Sequence, residues 1–178
     1  MVLTSALSAV AAAPGPASAQ VGPPDRQALR TRLLDATGGR GRLADHLATG
    51  KLRFFGTTPD RPVARSANVG PGASPEAGAR SFLATYGPLF GASDPGRDLR
   101  IGHIAAADRG RSSVRFQQLH QGVPVLGGEL VVNLDGQRNV LSANGELSPE
   151  KSLDVAPAIG VTEAVSYTHL TLPTICSV

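Results

Sequence analysis

Residues 114–147 read VRFQQLHQGVPVLGGELVVNLDGQRNVLSANGEL, and this stretch decides the fold. Val114 to His120 favours extended backbone, the run Gln121-Gly122-Val123-Pro124 interrupts it, and Glu129 to Leu134 resumes with Leu130, Val132 and Leu134 on one face. Asp135-Gly136 predicts a tight hairpin turn, because glycine adopts the positive φ such turns require. Asn139 to Glu146 is the return strand. Just upstream, Leu99 to Ala106 reads as another strand, and Asp108-Arg109-Gly110-Arg111 as the turn that leads into Val114.

Further upstream the pattern becomes helical. Ser74-Pro75-Glu76 opens a helix with an N-cap serine, a proline at the first helical position and an acid near the positive end of the dipole. Ala79, Phe82, Leu83 and Tyr86 share one face, and Gly87-Pro88 is the expected stop. Leu89, Phe90, Val123 and Val125 are also expected in the core. Thr57 to Ser74 contains Pro59, Pro62 and Pro71 and has no period, which predicts an exposed linker. Lys51 to Gly56 reads as a strand. Asp25 to Ala36 places Leu29, Leu33 and Ala36 at helical spacing before Gly38-Gly39, and a short second helix is expected over Arg42 to Thr49. The fold class that follows is α+β: an antiparallel β-meander of about four strands with a helix packed on one face, preceded by a signal segment and short N-terminal helices.

The two ends read differently from the middle. Residues 1–19 are uncharged, rich in Ala, Val and Leu, and end in Ala17-Ser18-Ala19, so cleavage between Ala19 and Gln20 by a secretory signal peptidase is expected. The segment has no basic start, which leaves open a start codon upstream of Met1. At the other end, residues 165–178 carry no charge, and their back-translation resembles a transposase mosaic-end sequencing adapter. We therefore expect them to be translated adapter rather than native protein. All 17 basic and 14 acidic residues lie in between, and a net charge of +3 is modest. The only cysteine, Cys176, falls within 165–178, so no disulfide or thiol chemistry is expected in the body of the chain. No run of about 18 apolar residues predicts a membrane span.

Catalytic patterns are absent from the body. His46, His103 and His120 stand alone in sequence, and no H-E-x-x-H spacing brings two histidines and a glutamate onto one helix for zinc. No Gly-x-Ser-x-Gly elbow or P-loop occurs. Arg109, Arg111 and Arg115 cluster around one turn, which reads as a solvated hairpin end or, less ordinarily, as a contact for an acidic partner. Only Phe116 lies near them, so the stacking aromatics of a nucleic-acid surface are missing.

The aromatic-Gln-Gln strand, Gln-Gly-Val-Pro-Val, Gly-Gly-Glu-Leu-Val-Val and Asn-Gly-Glu-Leu together resemble the propeptide of secreted fungalysin-type and thermolysin-type zinc metallopeptidases. The signature falls on Phe116, Gln117, Gln118, Gly122, Val123, Pro124, Val125, Gly127, Gly128, Asn144 and Gly145. The resemblance implies five segments: a signal peptide (1–19), an N-terminal helical segment (20–49), a propeptide domain (50–150), the start of a PepSY-like module (151–164) whose proline precedes a helix opened by Thr162 and Glu163, and the adapter (165–178). It implies an intramolecular chaperone and inhibitor that is secreted, has no catalytic or metal-binding residue of its own, and acts in cis on a catalytic domain downstream, where zinc is expected. Neither nucleic acid nor membrane is an expected partner. The short N-terminal part favours a thermolysin-type parent. The alternative is a stand-alone secreted protease inhibitor or binding module. Gln117, Gln118 and Gln121 either hydrogen-bond the neighbouring loop backbone or touch the protease, the first being the more ordinary outcome.

Overall fold

A computed structural model describes residues 25–150 and 152–171; the expected signal segment and its cleavage site at Ala19 and Gln20 lie outside these. Helix α1 (Arg26–Asp35) starts where the Asp25 carboxylate accepts from the Gln27 and Ala28 amides, and it closes over Gly38 and Gly39, both at positive φ. Strands β1 (Arg42–Asp45) and β2 (Leu52–Gly56) follow as an antiparallel pair. Helix α2 (Pro75–Phe90) and the single turn α3 (Pro95–Asp98) lead to β3 (Leu99–Ala106), β4 (Ser112–His120), β5 (Val123–Leu134) and β6 (Val140–Glu146). The six strands form one antiparallel sheet in the order β1-β2-β6-β5-β4-β3.

The α+β class and the β3-to-β6 meander match expectation; the sheet gains two strands because β2 pairs with β6 and β1 with β2. The helix expected over 42–49 is instead a strand and a turn. A helix of that length pays a full nucleation cost with no N-cap side chain before it. As an edge strand, the same residues place Leu43 opposite Phe55 and against the core.

Helix α2 covers one face of the sheet. Phe55, Phe90, Phe116, Leu83, Leu89, Leu130, Leu134, Val114 and Val132 are fully buried between them, and Leu33 of α1 joins the same core. Thus residues 26–45 contribute both a helix and a strand to the unit that carries β2 to β6. Phe82 lies at the centre of an aromatic group, with ring centroids 6.0 Å from Phe55, 5.1 Å from Tyr86 and 6.5 Å from Phe90.

Three boundaries differ from expectation. Helix α2 does not stop at Gly87-Pro88; it continues to Phe90 and ends at Gly91, where φ is 99°. The missing Pro88 amide costs one hydrogen bond, and burial of Leu89 and Phe90 outweighs it. In the β5–β6 turn the positive φ belongs to Arg138, not Gly136. The Asp135 carboxylate holds this turn by accepting from the Gln137 and Asn139 amides and from the Asn139 side chain, and Arg138 donates to the Ala73 carbonyl. The linker 57–74 is not uniformly exposed: Val63 and Val140 exchange two backbone hydrogen bonds, Arg65 donates to the Val69 and Gln137 carbonyls, and Val63 and Val69 are buried.

Beyond Leu147 the chain crosses residues 152–160, nearly all exposed, to α4 (Val161–Thr171). The helix expected to open at Thr162 and Glu163 is present, and it runs on through Val165 to Thr171, residues read from the sequence as adapter. Among the described residues, no helix is long and apolar enough to cross a membrane.

Phe82→Ala should cost about 3 to 5 kcal/mol in a denaturant titration, since it empties the centre of the aromatic group; a loss below about half a kcal/mol would remove this ring from the core. Burial pushes the Tyr86 phenol above its ordinary value of 10.0, with Arg32 opposing. A raised folded value means stability is intact below the ordinary phenol range and falls as pH rises through the folded one. Tyr86→Phe should therefore flatten the alkaline limb of a stability–pH curve.

Candidate functional site

The β4–β5 hairpin holds most of the signature residues, and its geometry starts at a two-residue turn. Gln121 at φ 48° and Gly122 at φ 86° both take the left-handed conformation, which matches the twist of the flanking strands and pairs His120 with Val123. Strand β5 therefore begins at Val123 rather than resuming at Glu129. The register then jumps: Leu119 faces Pro124, while Gln117 faces Glu129, so Val125 to Gly128 bulge out of the ladder. Gly127, at φ 75°, lets the bulge turn.

A bulge strands backbone carbonyls, and Gln117 satisfies them. Its side-chain amide donates to the Val125 carbonyl at 2.7 Å and the Gly128 carbonyl at 3.0 Å, with a third contact to the Gln118 carbonyl at 3.2 Å. Gln118 points to the opposite face and is 5 % exposed. Its amide donates to the Ser148 carbonyl at 3.1 Å, and its oxygen accepts from the Ser148 amide at 2.8 Å. This two-point grip is the same exchange a neighbouring strand would make. Gly128 leaves room for it: a Cβ there would sit 2.6 Å from Gln118 Oε1.

The chain is thus fastened where it leaves the sheet. A second contact follows at His120, whose Nε2 lies 2.8 Å from the Leu153 carbonyl and 3.3 Å from the Gln121 amide nitrogen. Beside these groups Arg97, Asp98 and Glu150 line a polar hollow of about 470 Å³.

The remaining signature residues divide in two. Phe116 is fully buried, with the Arg80 guanidinium 5.4 Å above its ring, and Gly145 lies so close to β5 that a Cβ would overlap the Glu129 carbonyl oxygen and approach Leu130 Cα to 2.7 Å. Val123, Pro124 and Asn144, by contrast, are exposed and Val125 is half-buried. The two valines were expected in the core; they project past the area that α2 covers. Asn144 stands on the solvent face beside Phe54 of β2.

The arginine cluster is split by the fold. Arg115 forms a 2.7 Å ion pair with Glu129, Arg109 sits in the β3–β4 turn at φ 59°, and Arg111 faces the N-terminal strands. His46 pairs with Glu146 at 3.0 Å, far from His120 in the sheet. Among the described residues, no group of three or more His, Cys, Asp or Glu side chains is placed to hold a metal ion.

A strand, a two-residue turn, a glutamine-filled bulge and a glycine-backed return strand make a recognisable unit. Residues 105–147 match the Fungalysin/Thermolysin Propeptide Motif. The propeptide motif thus spans the end of β3, the whole of β4 to β6, and stops one residue before the Ser148 that Gln118 holds. No curated protein matches the chain. Among solved structures, the Bacillus megaterium YpeB C-terminal domain is similar, with a TM-score of 0.42 and 11% identity over 79% of this chain and 71% of that one.

Sequence reading singled out Gln117 and Gln118 but missed Ser148, the downstream partner of Gln118, and Phe54. The backbone of Ser148 makes the contact, so its side chain carries no signal. Phe54 could have been found from Phe54-Phe55, since two consecutive aromatics on a strand cannot both face the core.

Gln118→Ala leaves the half-buried Ser148 amide and carbonyl unpaired and should cost about 1 to 3 kcal/mol. Hydrogen exchange at Ser148 should rise more than at Val132; unchanged Ser148 protection would mean that the grip is dispensable. Gly145→Ala should cost on the order of 3 kcal/mol, because backbone and not a flexible side chain blocks the new methyl. Gly127→Ala, which meets only conformational strain, should cost about 1 to 2 kcal/mol. The reverse order in thermal unfolding would contradict the β5–β6 approach.

Proposed function

We propose that this chain is the propeptide portion of a secreted zinc metalloendopeptidase precursor, of the fungalysin or thermolysin type, and that it acts in cis as intramolecular chaperone and inhibitor of a catalytic domain encoded downstream. The observation that carries this reading is the propeptide motif at 105–147, with its hairpin amides gripping the exit segment at Ser148. The fragment has no catalytic role of its own, and zinc belongs to the downstream domain.

The physics of action in cis suits this architecture. A covalently joined partner sees the propeptide at an effective concentration set by linker length and stiffness, so a modest surface affinity suffices before cleavage and no longer holds the two together after it. Fastening Ser148 and Leu153 to the hairpin shortens the free part of that linker. Pro149 and Pro157 stiffen it further.

The test begins with the source DNA read past the codon for Ala164. An H-E-x-x-H helix in the same frame identifies the partner, and that domain is then refolded from denaturant with and without the chain supplied in trans. The expected result is recovery of peptidase activity only when the chain is present during refolding. A frame that closes without a peptidase domain would overturn the reading in favour of a stand-alone secreted inhibitor or binding module, and so would a catalytic domain that refolds equally well alone.

A further inference from the structure

Helix α2 covers only one face of the sheet, and the registers specify what the other face presents. One row across the strands is Ala44, Phe54, Asn144, Val131, Arg115 and His103; the next is Arg42, Gly56, Ser142, Asn133, Ser113 and Ala105. The second row is a trough of small side chains. Phe54 leans into it, because Gly56 has no Cβ: one would lie 2.6 Å from the Phe54 ring. The ring thus lies along the sheet, 40% exposed, and forms part of the walls of two hollows of about 450 and 560 Å³ on either side.

The rim of these hollows is cationic. Arg40, Arg42 and Arg111 line the first and Arg53 the second, arriving from the α1–β1 loop, β1, the β3–β4 turn and β2. Three carboxylates lie on or beside this face, each with a partner: Asp60 faces Arg40 at 3.8 Å, Glu129 pairs with Arg115, and Glu146 contacts His46. The Thr58 side chain and nearby arginines hold Asp60 below the ordinary carboxylate range. No ion pair is formed by Arg42, Arg53 or Arg111 among the described residues. Asn144 adds a side-chain amide with no hydrogen bond among the described residues. An exposed aromatic ringed by arginines and one free amide is the composition of an interface centre, not of an ordinary solvated sheet face.

We propose that this face is a docking surface for an acidic polypeptide segment that presents one apolar side chain among carboxylates. The apolar group packs on the Phe54 ring, its carboxylates meet Arg42, Arg53 and Arg111, and Asn144 bonds to backbone. The charge balance selects an anionic partner, since three arginines without ion pairs outnumber the one carboxylate, Glu146, whose partner is a histidine rather than an arginine. As the surface that meets the downstream catalytic domain, it rests on the propeptide reading; as a site for acidic polypeptide, it does not.

The test uses the full chain labelled with ¹⁵N and titrated at low salt with acetyl-Glu-Glu-Leu-Glu-Glu-amide, and separately with its lysine counterpart. Expected are saturable amide shifts confined to residues 40–42, 53–57, 111 and 141–145, with roughly tenfold weaker binding of the lysine peptide and a loss of affinity as salt is raised. Phe54→Ala and the double variant Arg42→Glu with Arg111→Glu should each weaken binding of the acidic peptide roughly tenfold. The charge reversals lie on exposed side chains, so they remain informative even if Phe54→Ala unfolds. Absent shifts, shifts on another face, or equal response to the two peptides would overturn the proposal. Refolding of the catalytic domain separates the two readings. If the double variant loses the peptide but chaperones as well as the parent chain, the catalytic domain does not dock on this face and the propeptide function stands; if the peptide binds here but the domain refolds unaided, the acidic-polypeptide site stands and the propeptide function falls.

Discussion

Everything in this protein depends on one sheet being buried on one face only. One sixteen-residue helix supplies most of the cover, through Phe82, Leu83, Tyr86, Leu89 and Phe90, with Leu33 of α1 beside it, and the sheet answers with Phe55, Phe116, Leu130 and Val132. An antiparallel sheet tolerates such asymmetry because its side chains alternate, so each strand is apolar on one side and free to vary on the other. The helix cannot be shortened at Pro88 without exposing Leu89 and Phe90, so the proline is accommodated inside it.

Limited cover also explains the polar devices in the hairpin. Past the area that α2 protects, the β4–β5 ladder is not held by packing, and it changes register through a bulge. Unpaired carbonyls in a half-buried position are costly, and a glutamine amide is the cheapest side chain able to reach several of them at once. Gln117 does this on the outer face, and Gln118 imitates a strand toward Ser148 on the inner one. The adjacent glycines follow from the adjacent glutamines. Gly128 yields space to the Gln118 side chain, and Gly127 supplies the backbone conformation that the bulge needs.

How far the sequence reveals this varies with the physical range of each signal. The meander, the α2 start and the strand 99–106 were legible because alternation and capping are local. The pairing of β2 with β6 was not, since it joins residues about ninety apart and depends on α2 carrying the chain across the sheet. Residues 42–49 were misread because a short amphipathic run is ambiguous until a partner strand is known. Gly136 was given the turn's positive φ on composition, whereas Asp135 and Arg138 decide it through side-chain hydrogen bonds. Of the candidate site, the glutamines and glycines were visible and their acceptors were not, because backbone acceptors leave no mark in composition.

The long-range pairing has a consequence for the motif itself. Residues 105–147 contain β4 to β6 but neither α2 nor the strand beside β6, so the motif has no core of its own. Its hydrophobic face is completed by Phe55 and Leu33 from the N-terminal third, and its outer edge by β2. The same strand that closes the core with Phe55 delivers Phe54 to the solvent face, next to Asn144. Two successive residues therefore serve opposite sides of one sheet. Burial of Phe55 obliges Phe54 to face outward, and the sheet register obliges it to meet the motif there. The exposed aromatic is a geometric consequence of how the motif is completed, which ties the stability of the fold to what its solvent face presents.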